Sequence, residues 1–358
     1  MRRAGCVLAT IGALWAGPAA AQQACESDAQ LTEAAAELLL VRDEQPSARA
    51  LQRAVRAAGS DAVGVHALFM PSPPDTDAEQ RWLLGLQKRV DGILSCGRAD
   101  SAAGRLLMAV GRGAVLEPVD ADARVVRGRL RAGFRDAELV IETADAQLIR
   151  VGVSEASLSQ GVALAPELRL PLKVQLVARG PSGPRPVAER EVDDQSAHGA
   201  RVVRAQDVVE GLAEAGAKQT ARAAGNNADE LSRRLLAMRA QRGRGGLRAN
   251  RLLREAASQH AAEVCAKGRL AHEVEPGVGP DARLLRAGLD ARVLGEAIAR
   301  ADGADSALDA LSNSPSHLYT LLDPRFTDFG VGVARDNAQK YCYVVLLCAW
   351  PRYVGKQR

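Results

Sequence analysis

The sequence has little that would place it in a membrane or on nucleic acid. Its apolar run near the start, Val7–Trp15, is far shorter than the roughly 20 apolar residues that a membrane-spanning helix needs, and no later stretch approaches that length. Concentrated basic patches are also missing, because the net charge is only +4 at pH 7 and most arginines alternate with acidic residues. We therefore expect no transmembrane segment after removal of a leader and no nucleic-acid partner.

Several motifs that carry chemistry are absent as well. The sequence contains no Cys-x-x-Cys pair, no zinc-ribbon spacing, no Gly-x-Ser-x-Gly elbow and no His-Glu-x-x-His helix. These absences argue against a redox dithiol, a structural zinc module, a serine nucleophile on an elbow and a zinc protease helix. Any catalytic proposal must rest on other residues.

The first 21 residues have the pattern of a secretory signal peptide. Two arginines precede the apolar run Val7–Trp15, and Ala19–Ala21 offers small residues for cleavage near Ala21. A lipoprotein would use Cys25, but Gln22–Gln23 places polar residues where a lipobox needs a leucine and a small residue. We therefore predict a secreted or periplasmic protein in which disulfides are permitted.

The mature chain would hold an odd number of cysteines. Cys25 and Cys96 bracket the first domain and could close it by a disulfide. Cys342 and Cys348 lie on one face of a probable strand roughly 20 Å apart, so they cannot pair with each other. One of them could pair with Cys265, which would leave a free thiol, and a buried strand cysteine is more often part of the core than catalytic.

The pattern of apolar residues changes twice along the chain and predicts an α+β multidomain protein. Helical spacing dominates the first part, short alternating strands with turn signals follow, and a polar, alanine-rich stretch precedes the last part. The strand region suggests an antiparallel β-sandwich of immunoglobulin type. The predicted boundaries are a signal peptide over 1–21, a mostly helical domain over 22–112, the β-sandwich module over 115–195, a linker or helix over 196–228, and a C-terminal domain over 229–352.

The C-terminal region carries a series of short motifs in a fixed order. They are the helix Leu235–Gly243, the alanine-rich helix and loop histidine Ala256–His272, the Gly-Glu-Ala-Ile segment Gly295–Ile298, the Ser-Pro-Ser-His segment Ser314–His317, and the stretch Leu322–Gly332. Each motif is weak alone. Together, over about residues 231–350, they resemble the bacterial branch of the CAP superfamily (cysteine-rich secretory, antigen 5 and pathogenesis-related proteins).

The resemblance implies a three-layer α/β/α sandwich with a cleft lined by His272, Glu296 and His317. Two imidazoles and a carboxylate can bind a divalent metal such as zinc, or act as acid and base without one. Histidine is rare here, with five in all, and both of these lie beside loop signals, which favours a role in a cleft. His260 lies in the middle of a helix and is interpreted as structural.

The cleft departs from the family pattern at several positions. Ala297 replaces the asparagine after the glutamate, Ser316 replaces the glycine before the second histidine, and Leu311 stands where a tryptophan is expected. A second acidic residue would fall near Ser314, and Asp309 is a poor substitute by spacing. These departures weaken a hydrolytic interpretation.

Two functions from different classes follow. The first is a secreted, non-catalytic binding module for a lipid, a cell-wall component or a partner protein. The alternative is a metal-assisted hydrolase of peptide or peptidoglycan bonds, in which His272 and His317 hold the metal and Glu296 ligates it or acts as base. No cofactor is certain, and the sequence favours the non-enzymatic function. A purely structural role in the cell envelope stays open.

Overall fold

The computed structural model describes residues 25–41, 45–193 and 227–350. The predicted signal peptide, nearly all of the predicted linker and the last residues of the predicted C-terminal domain lie outside these ranges. None of the helices in the described part of the chain is long and apolar enough to cross a bilayer.

Residues 25–112, here called the N-terminal module, place a sheet between helices. The helices are α1 (Ala29–Val41), α2 (Ala48–Ala57) and α3 (Thr76–Gln87), and the strands are β1 (Glu26–Ser27), β2 (His66–Pro71), β3 (Ile93–Asp100) and β4 (Gly104–Arg112). The sheet has the order β1-β3-β4-β2. The prediction of a mostly helical segment missed this sheet. Successive residues of β4 enter two different apolar clusters, one against α1 and α2 and the other against α3, so its sequence does not alternate.

Residues 114–193, the middle module, are mainly antiparallel β-structure. The strands are β5 (Ala114–Leu116), β6 (Val125–Val126), β7 (Gly128–Leu130), β8 (Arg135–Glu142), β9 (Leu148–Val153), β10 (Val162–Ala163), β11 (Leu172–Gly180) and β12 (Gly183–Val192), with the short helix α4 (Glu155–Gln160). Strands run through the region that the sequence predicts as β-structure. The main sheet has the order β12-β11-β8-β9, and the remaining described strands form two two-stranded sheets. The predicted immunoglobulin-like sandwich is therefore not confirmed, because no second sheet of similar size faces the first within the described residues.

Residues 227–350, the C-terminal domain, form three layers. The helices are α5 (Asn227–Gln241), α6 (Arg251–Lys267), α7 (Pro280–Arg286), α8 (Ala304–Ser312) and α9 (Pro315–Leu322), and the strands are β13 (Arg248–Ala249), β14 (Val293–Ala301), β15 (Asp328–Arg335) and β16 (Tyr341–Ala349). The sheet has the order β13-β15-β16-β14. One of its faces packs on α5 and α8, and the other packs on α6 and α7. The architecture is the α/β/α sandwich that the resemblance implies.

Two disulfides tie elements together within single modules. Cys25 is bonded to Cys96, which joins the start of the N-terminal module to β3. Cys265 of α6 is bonded to Cys342 of β16, and Cys348 is a free, buried thiol on the same face of that strand. The pairing that the sequence left open is thus made by Cys342. Burial raises the pKa of the Cys348 thiol to about 12, so it is protonated and unreactive at neutral pH.

The three modules meet at a buried carboxylate. Asp91 lies between α3 and β3 of the N-terminal module. It accepts hydrogen bonds from the backbone N–H and the hydroxyl of Ser182 at 3.0 and 2.8 Å. Its Oδ1 also accepts one from Arg269 of the C-terminal domain at 2.6 Å. A residue from each module therefore takes part in one polar cluster, here called the Asp91 junction.

Candidate functional site

The C-terminal sheet and the segments that flank it bring two of the three predicted site residues into direct contact. Glu296 points from the central part of β14, and His272 lies in the loop that follows α6. The Nδ1 atom of His272 lies 2.8 Å from Oε1 of Glu296. His317, in the first turn of α9, instead places its Nδ1 atom 2.9 Å from the hydroxyl of Ser314.

Glu296 is almost fully buried and both of its oxygens are engaged. Oε1 accepts from His272, and Oε2 accepts from the guanidinium of Arg283 at 2.5 Å. Burial opposes ionisation, but the hydrogen bond from His272 and the positive charges of His272 and Arg283 outweigh it and hold the pKa of Glu296 below its usual range. The carboxylate is therefore ionised at neutral pH and neutralised by its neighbours.

Arg283 was not singled out from the sequence, although it is the strongest partner of Glu296. It lies on α7, and its Nη1 also donates to the carbonyl oxygens of His272 and Val278 at 2.8 and 3.0 Å. One guanidinium thus fixes both the carboxylate and the backbone of the loop that carries His272. No spacing rule connects α7 to β14, so only the folded chain reveals this contact.

His260, interpreted as structural, lies behind the same carboxylate. Its ring is fully buried on α6, and its Nε2 donates to the carbonyl oxygen of Ala271 at 3.0 Å. That nitrogen lies 3.8 Å from Oε1 of Glu296, beyond hydrogen-bond distance. His260 therefore positions the loop before His272.

The residues do not fit the metal site that the resemblance implies for His272, Glu296 and His317. Within the described ranges no three His, Cys, Asp or Glu side chains lie together as a metal cluster. The physical reason is local: His272 and an arginine occupy the two oxygens of Glu296, so neither oxygen is free to ligate a metal beside the histidines. A cationic guanidinium at the only carboxylate also opposes a second cation there.

His317 is held as a neutral imidazole. Desolvation by the surrounding protein, together with the positive charge of His272, lowers the pKa of His317 to about 4. At neutral pH the ring therefore carries one proton and can donate from one nitrogen and accept at the other.

Ser314 and Ser316, on either side of Pro315, are bonded to a residue of the middle module. Oε1 of Gln175 accepts from the Ser314 hydroxyl at 3.2 Å and from the Ser316 backbone N–H at 3.0 Å. Nε2 of Gln175 donates to Glu189 at 2.7 Å, and Glu189 in turn is ion-paired with Arg56 of α2. This link was not predictable from the sequence, because Gln175 alternates with apolar residues as a solvent-facing side chain would, yet it is only 2% exposed.

A cavity of about 970 Å³ lies in front of His272 and His317 and is lined by all three modules. Its apolar wall includes Leu51 and Val55 of α2, with Ile298 and Leu311 of the C-terminal domain. Arginines and carboxylates of α2 and β12 line another part, among them Arg56 and Glu189. The cavity volume is in the range of sites that hold small molecules, and such sites commonly form between domains.

The C-terminal domain matches a known family. The family described as "Cysteine-rich secretory protein family", or CAP, matches residues 233–349, which contain α6 to α9, all four strands of the sheet and most of α5. Residues 233–349 belong to the CAP family. The CAP match covers about a third of the chain, so the N-terminal and middle modules lie outside it.

Three solved structures of bacterial proteins, described as an outer surface, an extracellular and a secretory protein, have some similarity to this chain. An extracellular protein containing an SCP domain from Bacillus anthracis is 14% identical, covers 65% of this chain and 84% of its own, with a TM-score of 0.31. A cysteine-rich secretory protein from Staphylococcus aureus is 12% identical, covers 67% and 78%, with a TM-score of 0.30. An outer surface protein from Borrelia burgdorferi is 17% identical, covers 37% and 100%, with a TM-score of 0.34. These scores are low, and we base no conclusion on them. Among curated proteins, none matches the chain.

The departures from the CAP pattern have visible structural outcomes. Ala297 and Leu311 are buried in the apolar cluster between the sheet and α5 and α8. Ser314, where a second acidic residue would fall, instead supplies the hydroxyl that contacts His317. Asp309 is exposed on α8 and has no hydrogen bond or ion pair with the three predicted site residues. The CAP domain therefore has one carboxylate at this site, and that carboxylate is neutralised.

Proposed function

We propose that this protein is a secreted or periplasmic, non-catalytic binding protein that holds a ligand in the cavity between its CAP domain and the other two modules. The observation that carries the proposal is the engagement of Glu296, whose two oxygens are held by His272 and Arg283. A general base needs a free lone pair within reach of substrate, and this carboxylate is buried and bonded on both sides.

The cavity supports binding rather than catalysis. It combines an apolar wall, formed by α2 and the CAP domain, with polar and charged groups that converge from α2, β11, β12 and α9. This combination is typical of ligand sites in which apolar area gives affinity and a few polar atoms fix orientation. Lipids, cell-wall fragments and peptides are all compatible with these walls.

Export is supported by two independent features. The pattern of residues 1–21 is that of a signal peptide, and two disulfides form between cysteines far apart in sequence. Disulfides of this kind persist in oxidising compartments and are rare in the cytosol. No observation favours the alternative, a metal-assisted hydrolase.

Zinc titration by calorimetry separates the two functions. The mature protein and a His272→Ala/His317→Ala double variant are titrated side by side. We expect no zinc binding that depends on these two histidines, because both oxygens of Glu296 are engaged and no third ligand lies with the histidines within the described residues. Micromolar or tighter binding that is lost in the double variant would reinstate the metal site and the hydrolase.

A fluorescent probe tests the cavity itself. Anilinonaphthalene sulfonate fluoresces when it enters an apolar site, so titration of the folded protein should give a saturable increase. Val63 lines the cavity, and Val63→Trp should fill part of it and weaken probe binding several-fold. Val151→Trp, on the exposed strand β9, is the matched control and should leave binding unchanged. Equal binding by both variants would contradict the proposal that the cavity is the binding site.

A further inference from the structure

A chain of hydrogen bonds runs from α2 of the N-terminal module to His317 of the CAP domain. It passes from Arg56 to Glu189, from Glu189 to Gln175, from Gln175 to Ser314, and from Ser314 to His317. Gln175 and Glu189 belong to β11 and β12 of the middle module, and both are buried. Each module thus contributes at least one member.

The direction of every bond in this chain follows from its two fixed points. Glu189, ion-paired with Arg56, can only accept, so the Gln175 contact at 2.7 Å must be a donation from the amide nitrogen. At the other end of the amide, the Ser316 backbone N–H can only donate, so the atom 3.0 Å from it must be the amide oxygen. The orientation of Gln175 is therefore determined from both sides.

The orientation of Gln175 determines that of Ser314. Because the amide oxygen has no proton, the Ser314 hydroxyl must donate across the 3.2 Å contact. Nδ1 of His317, at 2.9 Å, accepts this proton only in the tautomer that carries its own proton on Nε2, and the Ser316 oxygen at 3.4 Å is a longer and weaker acceptor than Gln175. A hydroxyl has one proton, so once it is used the oxygen can only accept from His317.

We propose that Gln175 is a positioning residue that, through Ser314, fixes the His317 ring with its proton on Nδ1 and its lone pair on Nε2. A neutral histidine in water favours the opposite tautomer, with the proton on Nε2. His317 lines the cavity, and within the described chain Nε2 has no hydrogen-bond partner and is not among the buried polar atoms without one. The CAP site is therefore completed by the middle module and presents a hydrogen-bond acceptor to the cavity.

This assignment restricts the chemistry of the ligand, and that part rests on the proposed function. A ligand group placed at Nε2 must donate a hydrogen bond, as a hydroxyl, an amide N–H or an ammonium group does. A carboxylate or phosphate oxygen cannot be bound there, since it would require a proton on Nε2. The site thus selects a donor-bearing group at this end of the cavity.

Nitrogen-15 NMR of the ligand-free protein at neutral pH tests the assignment directly. Protonated and unprotonated ring nitrogens differ widely in chemical shift, and a His317→Gln variant identifies the His317 signals among the five histidines. We expect the protonated signal to be that of Nδ1. A wild-type ring with its proton on Nε2 would overturn the proposal without any further variant.

Variants then test whether Gln175 is the cause. Gln175→Met and Ser314→Ala should shift the ring toward the Nε2-protonated tautomer, whereas Ser314→Thr keeps the hydroxyl and should keep the wild-type tautomer. Gln160→Met, on exposed α4, is the matched control. An unchanged tautomer in folded Gln175→Met would contradict the role of Gln175. Since no ligand is present, these results hold or fail independently of the probe-binding experiment that tests the proposed function.

Discussion

At the scale of single residues, the CAP site is dominated by one buried carboxylate and the cations that neutralise it. Glu296 would be costly to bury alone, and Arg283 and His272 make its burial possible. The arrangement explains why this carboxylate is poorly suited to act on a substrate. It also makes the site sensitive to the loss of either partner.

Removal of the arginine should expose this dependence. Arg283→Met leaves Glu296 buried with one partner, and breaking such a pair costs about 3–5 kcal/mol. We expect a loss of this order in the free energy of unfolding, measured by urea denaturation. Arg286→Met, at the exposed end of the same helix, should change it by less than about 0.5 kcal/mol. Similar losses for the two variants would show that the Glu296 pair contributes little.

His317 makes stability depend on pH in a defined direction. Its pKa in the folded protein is about 4, lowered from the ordinary value of 6.5 by burial and by the charge of His272. Between these two values the unfolded chain binds a proton that the folded chain does not, so stability falls as pH falls from 6.5 to 4. Because the ring is only partly exposed, this shift corresponds to a loss of at most roughly 3 kcal/mol.

Urea unfolding across this pH window measures the effect. His317→Gln cannot titrate, so its stability should fall less steeply than that of the wild type between pH 6.5 and 4. Both proteins share the loss due to Glu296, which has a lowered pKa and therefore destabilises only as pH falls below the usual range of a carboxyl. If the free energy of unfolding of the two proteins changed equally with pH above the usual range of a carboxyl pKa, the low pKa of His317 would be contradicted.

At the scale of elements, the site depends on how closely α6 lies on the sheet. Gly330 and Gly332 of β15 face this helix, and a Cβ at Gly332 would lie 2.1 Å from the carbonyl carbon of Ala257. The strand therefore needs glycine for close approach rather than for a special backbone angle. Since α6 carries His260 and precedes the loop of His272, this contact also sets the position of the site.

A methyl group at this contact should force the helix away. Gly332→Ala should lower the free energy of unfolding by about 3 kcal/mol or more, because the obstructing atoms are backbone and cannot rotate aside. Gly245→Ala is the control, since a Cβ there meets nothing within 4 Å. Chemical denaturation measures the free energy of unfolding of both variants. Equal values for Gly332→Ala and Gly245→Ala would mean that α6 can move away from β15 without loss of stability.

Helices and strands were predictable from the sequence where one of their faces is exposed to solvent. The strands of the middle module and the helix that begins after Ser47 follow their local patterns. Strands β3 and β4 were missed because β4 is buried on both faces, so its apolar residues form a run rather than an alternation. Helix α3 accordingly ends at Gln87, and Ile93, within the segment predicted as mostly helical, begins strand β3.

The site was only partly predictable for a related reason. The resemblance named His272, Glu296 and His317, because their motifs are contiguous in sequence. Arg283 and Gln175 act through contacts with other elements, and nothing in their local sequence distinguishes them from surface residues. Local patterns in a single sequence can identify motif residues, but they cannot identify partners from other elements, such as Arg283 and Gln175, that determine the chemistry of the site.

At the scale of the whole molecule, the cavity exists because three modules are held together. The Asp91 junction fixes one side of their contact, and the chain from Arg56 to His317 crosses another. Burial opposes ionisation of Asp91, but hydrogen bonds from Ser182 and the charges of Arg185 and Arg269 hold the pKa of this carboxyl below its usual range. Asp91 is therefore ionised, and it joins the N-terminal module to Ser182 of the middle module and to Arg269 of the C-terminal domain.

Loss of this carboxylate should loosen the whole assembly. Asp91→Ala leaves Arg269 and the Ser182 hydroxyl without their shared partner, at a cost of about 3–5 kcal/mol for a buried pair. We expect the radius of gyration from small-angle X-ray scattering to increase and the probe to bind more weakly, because the cavity walls come from different modules. Asp122→Ala, on an exposed turn of the middle module, is the control. Unchanged scattering with unchanged probe binding would mean that the modules and the cavity are held together without Asp91.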